Sequence, residues 1–197
     1  MSAKPKSLIR LFWGTPVPQD LREHLHHYYA QRDHLETLWQ HKMSWVNPET
    51  WHMTWLFMGD VPMDAVEKLH TKMKKAIDGY GVVCLQMSET AIWPHARSPR
   101  FLVWLGEKEN TALTQLSQTI RKAFPQYADK KSFKPHVTMA RFRKPLAETS
   151  PQILLPGVAP STVVSWQITE ICLYQSTLSP QGALHKELYR VSLNASN

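Results

Sequence analysis

The sequence predicts an α+β fold of two similar lobes, and three observations lead there. Segments of strand character alternate with amphipathic helical segments in the order β-α-β-α-β-β-α-β-β-β, which reads as two related βα-type units. One short pattern is written twice, 84 positions apart, as His52-Met53-Thr54 and His136-Val137-Thr138. A chain of 197 residues is long enough for one substantial core shared by two lobes but short for two independent enzymatic domains. Residues 1–197 are therefore expected to form a single domain.

Taken in order, residues 7–13 are rich in Leu, Ile, Phe and Trp and then meet Gly14-Thr15-Pro16, a strand followed by a turn. From about Pro18 to Trp39, Leu21, Leu25, Tyr28, Leu35, Leu38 and Trp39 fall near helical spacing, with Asp20 and Glu23 favourable to the first-turn dipole. The same helix carries His24, His26, His27 and His34. His24 and His27 with Asp20 could share a face as metal ligands, but one exposed helix has no second element to close the shell, so a solvated histidine-rich face is expected. Asn47-Pro48-Glu49-Thr50 is a turn, and Trp51 to Phe57 form a strand closing at Met58-Gly59-Asp60. Alternation puts Trp51, Met53 and Trp55 on the face opposite His52 and Thr54, toward a helix layer.

Residues 62–78 are an amphipathic helix with Val66, Leu69, Met73 and Ile77 on one side, stopped by Gly79 and Gly81. Val82 to Met87 and Phe101 to Leu105 are strands, separated by the loop Trp93-Pro94-His95-Ala96-Arg97-Ser98-Pro99-Arg100. That loop combines an aromatic ring with cations, as a protein does to stack a base and hold a phosphate. Equally, Trp93 could anchor the loop to the core and leave the arginines solvated. Leu113, Leu116, Ile120 and Phe124 mark a helix that stops before Pro125, and the strand bearing His136 and Thr138 follows. Residues 145–162, with Pro145, Pro151, Pro156 and Pro160, take no assignment. Ser165 to Leu173 and Leu184 to Leu193 are strands, joined through Ser179-Pro180-Gln181-Gly182.

Composition narrows the class. Hydrophobic residues make up 43% of the chain, and no run approaches the ~18 apolar residues of a membrane span. Met1 to Lys6 is polar and leads into a short apolar run broken by Arg10, which is not a secretory signal. Cys84 and Cys172 lie in strand-like apolar stretches and read as reduced core residues in a cytoplasmic protein; a monomer with no membrane partner is expected. A formal charge of +7 and a pI near 9.5 favour an anionic partner, nucleic acid above all. Lys130, Lys131, Lys134, Arg141, Arg143 and Lys144 crowd the second His/Thr pair, although a basic face can also be merely solvated. The acidic residues near the pairs, Glu49, Asp60 and Asp129, do not make a ligand set, so no metal is expected. Without a Gly-rich phosphate loop, ATP-driven ligation is not expected either, and no cofactor is implied.

A bare His-x-Thr is unspecific, because composition alone would produce about one match. Here each copy sits in an apolar, strand-like segment directly after a turn or a proline, and each His shares a strand face with its Thr. His52-Met53-Thr54-Trp55 and His136-Val137-Thr138-Met139 resemble the paired HxTx signatures of the 2H phosphoesterase superfamily. The flanks, Glu49 through Val61 and Phe133-Lys134-Pro135-His136-Val137-Thr138-Met139-Ala140-Arg141, resemble the bacterial and archaeal RNA 2',3'-cyclic phosphodiesterases, also called LigT-like or 2'-5' RNA ligase-like proteins. The similarity extends to Leu11-Phe12, to Pro99 through Gly106, and to Gln175-Ser176-Thr177-Leu178 with Gly182, and so covers nearly the whole chain.

The resemblance implies a bilobal fold, two antiparallel-sheet lobes related by a pseudo-two-fold and backed by helices, with the His/Thr strands facing each other across a central basic cleft. It implies metal-independent hydrolysis of RNA 2',3'-cyclic phosphate ends to 2'-phosphomonoesters. His52 would be the proton donor to the leaving 3'-oxygen and His136 the proton acceptor that activates water. Imidazoles suit both roles, since a group with a pKa of about 6.5 serves as acid or base with small tuning. Thr54, Thr138 and Arg141 would bind the phosphate. Arg141 has the opposite strand parity to His136, so it needs a bulge or a strand end to reach the site. Trp93, Arg97, Arg100 and Lys134 are candidate RNA or base contacts. Reversible 2'-5' RNA ligation, or a non-catalytic nucleotide- or RNA-binding module, are the alternatives on the same fold.

Overall fold

Alternating apolar residues build a nine-stranded antiparallel sheet, whose elements a computed structural model describes over residues 7–38, 43–95, 98–129, 131–143, 163–179 and 182–193. The strands are β1 (Leu8–Pro16), β2 (Met43–Trp45), β3 (His52–Pro62), β4 (Val83–Trp93), β5 (Phe101–Gly106), β6 (His136–Phe142), β7 (Val164–Ile168), β8 (Glu170–Ser179) and β9 (Gly182–Ser192). Their order is β7-β4-β5-β6-β3-β1-β8-β9, with the short β2 paired to β6. Each half of this path holds four strands, and each has its His/Thr strand at the inner edge. The halves join where Met53 of β3 pairs with Val137 of β6.

The helices are α1 (Gln19–Ala30), α2 (Arg32–Leu38), α3 (Val66–Ala76) and α4 (Thr111–Ala123). In one half β1 leads through α1 and α2 to its neighbour β3, and in the other β5 leads through α4 to its neighbour β6. This is the repeated unit the sequence predicts. Leu69, Met73 and Ile77 of the α3 stripe and Leu113, Leu116, Ile120 and Phe124 of the α4 stripe are buried, as their 3.6-residue spacing requires. Asn110 caps α4 by accepting from the Leu113 N–H at 2.8 Å. Trp13, Trp51, Trp104 and Trp166 are fully buried and fill the core between helices and sheet. A buried polar chain crosses it: Trp55 Nε1 donates to Thr15 Oγ1 at 2.8 Å, and that hydroxyl donates to the Glu170 carbonyl at 2.7 Å. Each donor there is satisfied, which keeps the burial of Thr15 from being costly.

Several elements differ from expectation. Gly14-Thr15-Pro16 is not a turn but the end of β1, paired with Thr54, Met53 and His52. Gly14 serves close approach, since a Cβ there would lie 3.0 Å from the Met53 carbonyl oxygen. The helix expected from Pro18 to Trp39 breaks at Gln31. Leu25 and Leu35 are both buried, yet ten residues of continuous helix would turn them about 80° apart, so the break re-aims the second segment at the core. His24 does not join a solvated face but stacks near Trp104, with ring centroids 6.5 Å apart.

Ser165 to Leu173 is two strands at opposite parts of the sheet, β7 beside β4 and β8 beside β1. The separation falls at Thr169, whose carbonyl accepts from the Leu193 N–H at 2.7 Å. Cys172 is buried, but Cys84 is exposed on β4 and meets Ser165 Oγ at 2.9 Å. The unassigned residues 145–162 lie outside the described residues. Among the described residues no helix is long and apolar enough to cross a membrane.

Candidate active site

The two His/Thr strands lie side by side. With Met53 opposite Val137 in antiparallel register, the flanking positions set His52 across from Thr138 and Thr54 across from His136. Val137 and Met53 point into the core and are fully buried, so the four polar residues share the other face.

Each of these strands carries a bulge at the same place. On β6, Thr138 faces Val103 and Ala140 faces Leu102, leaving Met139 as the extra residue. On β3, Thr54 faces Gly14 and Leu56 faces Trp13, leaving Trp55 extra. Consecutive burial of Met139 with Ala140, and of Trp55 with Leu56, marks the change of parity. Beyond the bulge, Arg141 lies on the face of His136 and Thr138, against the simple alternation. Its guanidinium stacks over the Phe101 ring at 5.2 Å and its charge reaches His52 and His185. The corresponding position on β3 is Phe57, which is exposed and has Arg10 over its ring at 5.3 Å. The site thus has a cation on one side of the pseudo-two-fold and an aromatic ring on the other.

The histidines are held alike. His52 Nδ1 lies 2.8 Å from the Thr50 carbonyl oxygen, and His136 Nδ1 lies 2.8 Å from the Lys134 carbonyl oxygen. A carbonyl only accepts, so in each neutral ring Nδ1 carries the proton and Nε2 keeps the lone pair. The reason is local: in both copies the residue two before the His ends a turn or precedes a proline, and its carbonyl turns back onto the ring.

Their surroundings are strongly perturbing. Phe12 stacks on His52 at 4.7 Å and on Tyr174 at 5.2 Å, forming an aromatic wall. Burial, opposed by the Thr50 hydrogen bond and reinforced by the charges of His185, Arg141 and His136, lowers the His52 pKa from 6.5 to about 4. Burial likewise lowers that of His136, against its hydrogen bond to Lys134. Trp93 packs on His136 with centroids 4.5 Å apart, and Lys134 Nζ sits over the Trp93 ring at 5.9 Å. Trp93 is therefore at the end of β4 beside the site, rather than in a loop or the core.

Arg100 is held next to two residues that border the site, Trp93 and Phe142. Its N–H donates to the Trp93 carbonyl across the β4–β5 connection, its carbonyl accepts from the Phe142 N–H of β6, and the residue is exposed. Arg97 lies outside the described residues. One residue was missed. His185 on β9 stands edge-on to His52 at 5.1 Å and to Phe12 at 5.0 Å, with a buried Nδ1 that has no hydrogen-bond partner among the described residues. No local pattern signals it, because its approach depends on β9 pairing with β8 and β8 with β1. Among the described residues no three His, Cys, Asp or Glu side chains are grouped so as to hold a metal ion.

Two matched His-x-Thr strands at the centre of a curled antiparallel sheet define a 2H phosphoesterase. Comparison with known proteins agrees. The chain belongs to the 2'-5' RNA ligase superfamily, which matches residues 19–179. It is 22% identical over 182 residues to a protein of Methanothermobacter thermautotrophicus called RNA 2',3'-cyclic phosphodiesterase, covering 91% of this chain and 96% of the relative. Among solved structures it superposes on TT0787 of Thermus thermophilus with a TM-score of 0.77 and 20% identity, covering 96% of this chain and all of that one. It also superposes on E. coli LigT complexed with 3'-AMP, with a TM-score of 0.73 and 21% identity over 95% of this chain and 99% of the other.

Proposed function

We propose that the protein opens the 2',3'-cyclic phosphate at RNA ends to a 2'-phosphomonoester, using His52 and His136 as a metal-independent acid-base pair. The observation that carries this reading is the duplicated histidine geometry, in which each Nδ1 is committed to a carbonyl and each Nε2 is left for proton transfer. The names of the relatives supply the substrate class.

In the proposed reaction a water oxygen attacks phosphorus while the bond from phosphorus to the 3'-oxygen breaks. His136 Nε2 takes a proton from the water, and His52 Nε2–H gives one to the departing 3'-oxygen, so one proton enters and one leaves the pair. Thr54 and Thr138 donate to the non-bridging oxygens, and Arg141 offsets the charge they accumulate. Trp93 and Lys134 border the His136 side and are suited to contact the ribose or base.

A donor with a pKa of about 4 is neutral before substrate arrives. The cyclic phosphate is an anion, and its arrival beside the ring restores the charged form. Arg141, which repels a proton on His52 in the empty site, is offset by the same anion.

The test uses an oligoribonucleotide ending in a 2',3'-cyclic phosphate, in EDTA. Conversion to the 2'-phosphomonoester is expected, and His52→Ala and His136→Ala should each lower kcat by ~10²–10⁴-fold. Absence of conversion, loss of activity to EDTA, or full activity in either variant overturns the proposal. A 2'-5'-linked product formed with a 5'-hydroxyl strand would point to ligation instead.

A further inference from the structure

A cavity of about 560 Å³, with Trp93 in its lining, lies between α4 and the chain leading into β6. Trp93 and Phe133 give it aromatic walls, and Lys108, Arg121, Lys131 and Lys134 give it cations. Among the described residues its lining contains no acidic side chain. Asp129, not itself in the lining, pairs through its carboxylate with Arg121 at 2.8 Å, while the same guanidinium also bonds the Asp129 carbonyl. Ser117 on α4 also lines the cavity; it is 2% exposed, and its hydroxyl has no hydrogen-bond partner among the described residues.

A buried hydroxyl without a partner destabilises a fold, so its presence needs a reason. Rings paired with several cations are how proteins bind a base together with its backbone phosphate, and here four cations face one nearby carboxylate, Asp129. Position supplies the link to the chemistry. Lys134 and Pro135 line the cavity and run straight into His136, so the cavity wall is continuous in the chain with the residue that bears the catalytic ring. Trp93 belongs to both, packing on His136 with centroids 4.5 Å apart and lining the cavity.

We infer that this cavity is a second nucleotide subsite, which takes a nucleoside and its phosphodiester adjoining the reacting end. The inference rests on the reading of His52 and His136 as an RNA-end hydrolase for where the reacting phosphate lies. The nucleotide has two sources, the same strand as the cyclic phosphate or a separate strand. In either case a base rests against Trp93 or Phe133, and a phosphate meets Lys108, Lys131 and the Ser117 hydroxyl.

The experiment compares adenosine 2',3'-cyclic phosphate with the diadenosine ending in the same group, and separately measures calorimetric binding of the uncleavable deoxydinucleotide d(ApA). With a same-strand subsite, kcat/KM for the dinucleotide exceeds that for the mononucleotide by about tenfold or more. The double variant Lys108→Ala/Lys131→Ala, at two exposed positions outside the catalytic pair, removes this advantage and leaves mononucleotide turnover unchanged. With a separate-strand subsite, d(ApA) binds the wild type without competing against the cyclic mononucleotide, and the double variant loses that binding. Ser117→Ala weakens d(ApA) about three- to tenfold while the melting temperature holds or rises, a combination that a merely structural serine does not produce.

Binding of d(ApA) that is absent, or equal in wild type and double variant, overturns the subsite. If neither cyclic substrate turns over but d(ApA) binding is lost in the double variant, the hydrolase reading fails and the subsite stands.

Discussion

A bound oxyanion should return to His52 the proton that burial removes. The perturbation is sulfate, which keeps its charge across the range of interest and mimics the phosphate. In the empty site the His52 pKa is about 4, so about one molecule in a thousand carries the proton at neutral pH. A single negative charge 4 Å from the ring contributes about 4 kcal/mol at an effective dielectric constant near 20. At ~1.4 kcal/mol per unit this is a shift of about three units, placing the bound-state pKa near 7.

The assay is an NMR titration of the histidine side chains with and without saturating sulfate. Linkage gives an independent readout, because the complex takes up one proton between the two pKa values. Sulfate affinity should fall about tenfold per pH unit from about pH 4 to about pH 7 and level off above. Arg141→Gln should raise the empty-site pKa, by removing a cation, while weakening sulfate. A His52 that still titrates below about pH 5 in the saturated complex would refute the electrostatic account of how the donor is charged.

Three further outcomes follow from the same structure. The folded-state pKa of His52 lies below its ordinary 6.5, so the unfolded chain binds the extra proton first and stability falls as pH drops from about 6.5 to about 4. The loss from His52 is about 3 kcal/mol, His136 adds in the same direction, and denaturant unfolding across this window should show a slope that His52→Asn reduces. Gly14→Ala would place a Cβ 3.0 Å from the Met53 carbonyl oxygen, 3.2 Å from the Phe12 ring and 3.4 Å from His52 Cδ2. It should cost about 1–3 kcal/mol in stability and lower activity beyond that loss, so unchanged melting and turnover would contradict the close packing. Finally, a thiol reagent should modify exposed Cys84 quickly in the native protein. Buried Cys172, pushed up to about 12 mainly by burial and then by Glu187 and Glu170, should react only on unfolding.

Elements whose signal is local were legible. The stripes of α3 and α4 and the alternation of Trp51, Met53 and Trp55 against His52 and Thr54 depend on spacing within one segment, and burial follows that spacing. Other boundaries were not, because nothing local marks them. Thr169 separates two strands with no Gly or Pro, and buried apolar residues resume soon after it, Trp166 and Ile168 before and Ile171 and Leu173 after, with only a one-residue slip in the alternation between them. Gly14 reads as a turn residue, yet it is retained in a strand because the backbone of β3 passes too close for a side chain. Cys84 lies in an apolar stretch but on its exposed face, which the strand's neighbours decide.

The candidate site divides the same way. The sequence by itself determined the two His-x-Thr pairs, since residues two apart on a strand share a face whatever the strand packs against. It could also state that Arg141 needs a change of parity, but not that one exists. Only the tertiary structure decided that, by inserting Met139 as an unpaired residue opposite β5, and by repeating the device at Trp55 opposite β1. Tertiary structure alone also brought His185 to 5.1 Å from His52, since that contact passes through three strand pairings, and strand register is a property of neighbours rather than of any one segment.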